Sequence, residues 1–251
     1  MVQSRLVSTL LSPALRLWLR SQVDSIESLT IDIEGNDRQI LGGHIPGVAL
    51  QAKRAIYQGL SLSNLTMIAS TIYINIGQVI RGKPFKLLAP IPVETTLFLD
   101  ADGLHQSASA DLLYDALVEL WQRLCKTAPE LGERINRQQP PTLHCGDGYL
   151  EIHVDSSISS SISINVKSQI SHQTRLGKPT HCSILRTKLL IVEEHLLEFK
   201  QTSFYPSGTE LPVPVTSLDG FQIDLGRDVT IQTLSISTEG IYCQGRILVM
   251  P

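Results

Sequence analysis

The chain has 251 residues, of which 42% are hydrophobic and 18% charged, and its formal net charge is -3. This excludes intrinsic disorder, because 36 Leu, 25 Ile and 14 Val supply enough apolar surface to offset chain entropy. It also excludes general nucleic-acid binding, which needs an excess of Lys and Arg to displace counterions from phosphate.

The first predicted element is a helix. Ser12 is placed to cap it and Pro13 to fill its first turn, where a missing N–H costs nothing. From Pro13 to about Ser28, Leu11, Leu15, Trp18, Leu19, Gln22 and Ile26 share one face, with Arg16, Arg20, Asp24 and Glu27 opposite. No clear signal-peptide core lies before Arg20, and no apolar run reaches the ~18 residues of a membrane-crossing helix. The expected location is therefore cytoplasmic, or peripheral on the inner face of a membrane.

Strand-like alternation follows. It is seen at Ile31 and Ile33, at Val48, Leu50 and Ala52, at Leu60 and Leu62, at Ile72, Ile74 and Ile76, and at Leu97 and Leu99. A second helix is expected from about Ala110 to Lys126, with Ser109 as its cap. Leu113, Leu117 and Trp121 form one row at i, i+4, and Leu112, Ala116, Leu120 and Leu124 the next. Pro129 and Gly132 then act as stop signals. Further strands are expected at Leu150 to Val154, Leu189 to Val192, Leu196 to Phe199, Val229 to Ile236 and Ile241 to Val249. The alternating isoleucines of Ile158 to Val166 suit an edge strand. Period-two alternation gives one apolar and one polar face, as in antiparallel sheet.

The pattern predicts one α+β domain over residues 1–251. Similar Trp-containing helices and a repeated Gly-Lys-Pro, at Gly82-Lys83-Pro84 and Gly177-Lys178-Pro179, suggest two related helix-plus-sheet halves. These would be 1–126 and 142–251, or 110–251 when the second helix is counted with the later half.

Catalytic signatures are missing: there is no GxGxxG, GxxxxGK[ST], GxSxG or HExxH. Gly42-Gly43-His44 is best read as a bend between strands. Cys125, Cys145, Cys182 and Cys243 show no CxxC spacing and read as reduced, mostly buried thiols. His144-Cys145 and His181-Cys182 are neighbours that point to opposite faces of a strand, so each pair offers at most one ligand to a given metal site. Asp100 with Asp102, and Glu193 with Glu194, are expected on solvated surfaces. No metal, no cofactor and no enzymatic activity is expected.

Several stretches together resemble the LmeA-like phospholipid-binding family. They are Leu11 to Arg20, Gly59 to Leu65, Arg81-Gly82-Lys83-Pro84, and Phe98 to Ser107 followed by Ala110 to Leu112. The turn at Glu239-Gly240 and the strand ending in Gly245 to Val249 complete the order. The resemblance implies phospholipid or other acyl-lipid binding without catalysis, and a tubular lipid-binding-like fold. In that fold long amphipathic helices lie on a strongly curved antiparallel β-sheet, with acyl chains between them. Leu15, Trp18, Leu19, Leu113, Leu117 and Trp121 are the expected helix walls, and Ile72, Ile74, Ile76, Leu97 and Leu99 the expected sheet wall. Arg16 and Arg20, with Arg81, Lys83 and Lys86, are the expected contacts to a membrane surface. The alternative is a structural or protein-interaction domain with a filled core, whose edge strand at Ile158 to Val166 would take a partner.

Overall fold

The computed structural model describes residues 12–79, 81–83, 86–132, 141–155 and 182–251. Helix α1 (Ser12–Gln22) leads into strand β1 (Ser25–Glu34), and the short helix α2 (Asp37–Leu41) into β2 (His44–Tyr57). Then come β3 (Leu60–Tyr73), α3 (Ile76–Val79), β4 (Ile91–Asp100), α4 (Ala101–Ser107) and α5 (Asp111–Thr127). The later part holds β5 (Thr142–Cys145), β6 (Leu150–Asp155), β7 (Cys182–Val192), β8 (Leu196–Tyr205), β9 (Val213–Pro214) and β10 (Gln222–Asp224). A hairpin of β11 (Val229–Ser237) and β12 (Gly240–Val249) closes the chain.

Two antiparallel sheets result. The first has the order β1-β2-β3-β4-β12-β11, and the second β10-β8-β7-β6-β5 with β9 beside β8. The C-terminal hairpin thus returns to pair with β4, from Gly240 against Asp100 to Val249 against Ile91. Turns of the second sheet bond to the edge strand of the first: Ile231 N–H donates to the Glu194 carbonyl at 2.6 Å, and Gly148 N–H to the Ile236 carbonyl at 3.0 Å.

This arrangement corrects the expected architecture. The chain is mostly antiparallel sheet, its helices are short, and neither sheet is strongly curled. Even α5, the longest helix among the described residues, has 17 residues, and α1 has 11. The helix expected to run to Ser28 stops at Gln22, because Ser25 to Glu34 is taken by pairing with β2. The β-branched Ile26, Thr30, Ile31 and Ile33 favour that extended state. The edge strand expected at Ile158 to Val166 and the second Gly-Lys-Pro lie outside the described residues.

Two buried clusters hold the fold. The larger joins α4, α5 and the second sheet, with Leu117, Trp121, Leu124, Leu143, Leu185 and Phe199 among its members. The smaller closes one end of the first sheet with Ile45, Ile72, Ile74, Ile91 and Val93. Gly43 belongs to the turn that shapes that end. Its φ is +81°, and a Cβ there would meet the Ile74 carbonyl oxygen at 2.7 Å.

Among the described residues, strict alternation fails at a bulge in β11 between Ile231 and Thr233 and at three further strand positions that share one backbone reason. Arg54, Thr71 and Gln201 have φ of 46°, 57° and 51° within their strands. Each left-handed residue switches which parity faces inward. Ala52 and Ala55 are therefore both buried, as are Phe199 and Thr202, and Ile72 is buried while Ala69 packs on the same cluster. A β-branched residue at positive φ is unfavourable by about 1–2 kcal/mol. Thr71→Asn is expected to raise the unfolding free energy by about 0.5–1 kcal/mol, since Asn tolerates this conformation. The same exchange at Thr66, a half-buried position in the interior strand β3 without positive φ, is expected to lower it. Urea midpoints of the two variants compare directly.

Candidate functional site

The first sheet has one polar and one apolar face. Arg246 and Glu94 pair at 2.6 Å across β12 and β4 on the polar face. On the other, three registered rows cross all six strands. One runs Ile31, Leu50, Met67, Thr95, Gly245, Ile231. The next runs Leu29, Ala52, Leu65, Leu97, Cys243, Leu234. The third runs Ile33, Val48, Ala69, Val93, Ile247, Val229. Thr95 is the single polar side chain on this surface, about 24 Å wide at ~4.8 Å per strand.

A filled core would bury all of those rows; here Ile31, Ala52, Val93, Gly245 and Ile231 are buried and the other members are not. Val48, Met67 and Ala69 pack toward the smaller cluster, and Leu99 and Ile241 toward the larger. Between them Leu29, Leu50, Leu65, Leu97, Leu234 and Cys243 are only half-buried and belong to neither cluster. The second sheet behaves differently: Leu143, Ile152, Val154, Leu185 and Phe199 on its inner face are all buried. Burial in apolar surroundings also pushes the Cys243 thiol above its ordinary pKa.

The residues expected to line an acyl site are not gathered in one place. Leu97 lies on the half-buried strip and Leu99 beside it. Ile72 and Ile74 are buried in the smaller cluster, and Ile76 packs on it. Leu117 and Trp121 are buried in the larger cluster, where Leu113 packs at the margin. Leu15 and Leu19 are half-buried on α1, which touches β1; the side chain of Trp18 lies outside the described residues. Arg16 and Arg20 are exposed near the start of β1. Arg81, Lys83 and Lys86 are exposed at the other end of the sheet. Sequence reasoning missed Leu29, Leu50, Leu65, Cys243 and Leu234 as a strip. Their alternation was visible, but the strand pairing that aligns them was not.

The candidate acids have structural duties. The Asp100 carboxylate caps α4, accepting from Gly103 N–H at 2.7 Å. Glu193 and Glu194 form the β7–β8 turn, with φ of 52° and 60°. On the outer face of the second sheet Glu151 accepts from His153 Nε2 at 2.9 Å and from Arg186 Nη2 at 2.6 Å. Those hydrogen bonds, His153 first and then Arg186, hold its carboxyl down at about 2. The Arg186 guanidinium lies over Tyr149 at 4.4 Å and Tyr205 at 5.0 Å. The rings of His105, His144 and His153 follow in a row, with centroids 5.4 and 4.3 Å apart. Partial burial, then the charges of His153 and His105, keep His144 below its ordinary pKa. Among the described residues no group of three His, Cys, Asp or Glu is placed to hold a metal ion.

A family model described as LmeA-like phospholipid-binding matches residues 2–246. The chain belongs to that family. No curated protein and no solved structure matches it. Family membership supports lipid binding, and the half-buried apolar strip is the surface here with the matching chemistry. The membrane contact expected of a long amphipathic helix finds no support in the short helices. Among the described residues no helix is long and apolar enough to cross a membrane.

Proposed function

We propose that this member of the family holds a phospholipid by its acyl chains against the apolar face of the first sheet. It takes the lipid from a membrane and leaves it chemically unchanged. The observation that carries this reading is the strip of Leu29, Leu50, Leu65, Leu97, Leu234 and Cys243, apolar, drawn from two adjacent registered rows of one sheet face and only half-buried. Each methylene it covers contributes roughly 0.8 kcal/mol, so about ten offer ~8 kcal/mol before the cost of ordering the chain. Asp100 and Glu151 are engaged as a helix cap and an ion partner, which supports a holding role rather than hydrolysis.

Native mass spectrometry of protein purified without detergent tests the reading. The wild type is expected to carry phospholipid adducts. Leu50→Asp combined with Leu97→Arg is expected to lose at least ~90% of them, because charged groups cannot share an apolar strip with an acyl chain without a large desolvation cost. The wild type carrying no lipid and taking up no fluorescent phospholipid would overturn it.

A further inference from the structure

We propose that the end of the first sheet formed by α2, α3 and residues 86–90 docks on the surface of an anionic bilayer. This goes beyond lipid holding, because the docking surface is separate from the half-buried strip.

Several observations converge on this end. The 56 residues from Arg38 to Val93 contain six Lys or Arg and no Asp or Glu. Four of those cations, Arg38, Arg81, Lys83 and Lys86, fall at this end, all exposed and in no ion pair among the described residues. Three large apolar side chains point outward beside them: Leu41 is 53% exposed, Tyr73 45% and Leu88 61%.

Backbone bonds tie these groups into one surface. Leu88 N–H donates to the Tyr73 carbonyl at 2.9 Å, and Ile74 N–H to the Gly43 carbonyl, two residues past Leu41, at 2.8 Å. Lys86 N–H donates to the Asn75 side chain at 2.8 Å, and Lys83 N–H to the Gln78 carbonyl at 3.0 Å. Tyr73 also stacks on His44 at 5.1 Å. The acids at this end are Glu34 at the close of β1, Asp37 at the start of α2 beside Arg38, and Asp228 before β11 with Arg227 beside it. The middle, under β2 to β4, is basic and apolar.

Charge complementarity selects the occupant. Exposed Leu and Tyr side chains on the same end as these cations suit the headgroup region of a bilayer carrying negative lipids, where the rings and aliphatic tips insert and the cations meet phosphate. The apolar tips sit on turns braced by the smaller buried cluster, so insertion needs no unfolding. The other cationic pair, Arg16 and Arg20 on α1, stands near the opposite end of β1, roughly 30 Å away at ~3.3 Å per residue, and takes no part.

Co-sedimentation with vesicles tests the docking. With vesicles of equal parts phosphatidylglycerol and phosphatidylcholine the wild type is expected to sediment, and with pure phosphatidylcholine to stay in solution. High salt is expected to release it. Each basic side chain near an anionic surface is worth about fivefold, so Arg81→Gln, Lys83→Gln and Lys86→Gln together are expected to weaken partition about 100-fold. Leu41→Ser with Leu88→Ser is expected to weaken it without changing the salt dependence. These side chains are exposed, so circular dichroism and the phospholipid retained in native mass spectra should match the wild type. Wild type that ignores phosphatidylglycerol vesicles overturns the docking surface, and so does a triple variant that binds them equally well. Vesicle binding by a protein that retains no lipid keeps the docking and removes only the holding function.

Discussion

Trp121→Ala is expected to lower the unfolding free energy by about 3–5 kcal/mol, the range for removing a buried aromatic side chain without full collapse of the gap. Trp121 is 2% exposed, and Leu117, Leu124, Leu143, Leu185 and Phe199 share its cluster. Domain stabilities run to ~5–15 kcal/mol, so the loss is a large fraction of the total. Trp121→Phe, which keeps most of the volume, is expected to cost about 1–2 kcal/mol. Urea unfolding followed by far-ultraviolet circular dichroism reads both. The variant also separates two roles for this side chain. As part of a filled cluster, Trp121 contributes to stability, and lipid retention below the melting transition should be unchanged. A small stability loss with altered lipid retention would instead place Trp121 in a lipid wall. Leu97, half-buried on the strip, should behave in the opposite sense: Leu97→Ala is expected to cost under ~1.5 kcal/mol while weakening lipid retention.

This contrast marks where sequence pattern carries information and where it stops. The helical rows of Leu113, Leu117 and Trp121 locate α5 to within one residue at each end, from Asp111 to Thr127. Alternation likewise locates β6 at Leu150 to Asp155, and Leu97 with Leu99 in β4. These are local signals, because a helix or strand face is written in residues a few positions apart. The pairing of β4 with β12 joins residues such as Leu97 and Cys243, far apart in the chain, and leaves no local trace. The candidate strip exists only through that pairing. The helix expected to extend to Ser28 fails for the same reason: β1 is stabilised by β2, not by its own sequence alone. The left-handed residues Arg54, Thr71 and Gln201 break the parity rule silently, since none is the glycine or asparagine that would announce the conformation. Basic residues were legible one by one. Their grouping with Leu41 and Tyr73 depends on α2 and the end of β3 meeting in space.

Glu151→Gln is expected to destabilise the protein by about 2–3 kcal/mol at neutral pH and by much less in acid. The Glu151 side chain is 15% exposed and engages both Arg186 and His153. Its carboxyl titrates near 2 in the folded chain, against an ordinary 4.5. The unfolded chain therefore binds this proton first as pH falls. The stabilisation is complete above about 4.5 and is lost between there and about 2, at ~1.4 kcal/mol per pH unit of difference. His144 acts with the same sign at higher pH. Its folded-state pKa lies below the ordinary 6.5, so the unfolded chain takes up that proton first and acidification through this range also disfavours the fold. Wild-type stability should thus fall in two stages on acidification, first as pH drops below the ordinary histidine value of 6.5 and again below about 4.5. In Glu151→Gln the second stage should flatten, and its melting temperature should converge on the wild-type value near pH 2–3. Thermal scans across pH check both. An unchanged low-pH arm in the variant would mean that Glu151 holds no more than a surface ion pair. In that case the Arg186 guanidinium would be anchored by Tyr149 and Tyr205 alone.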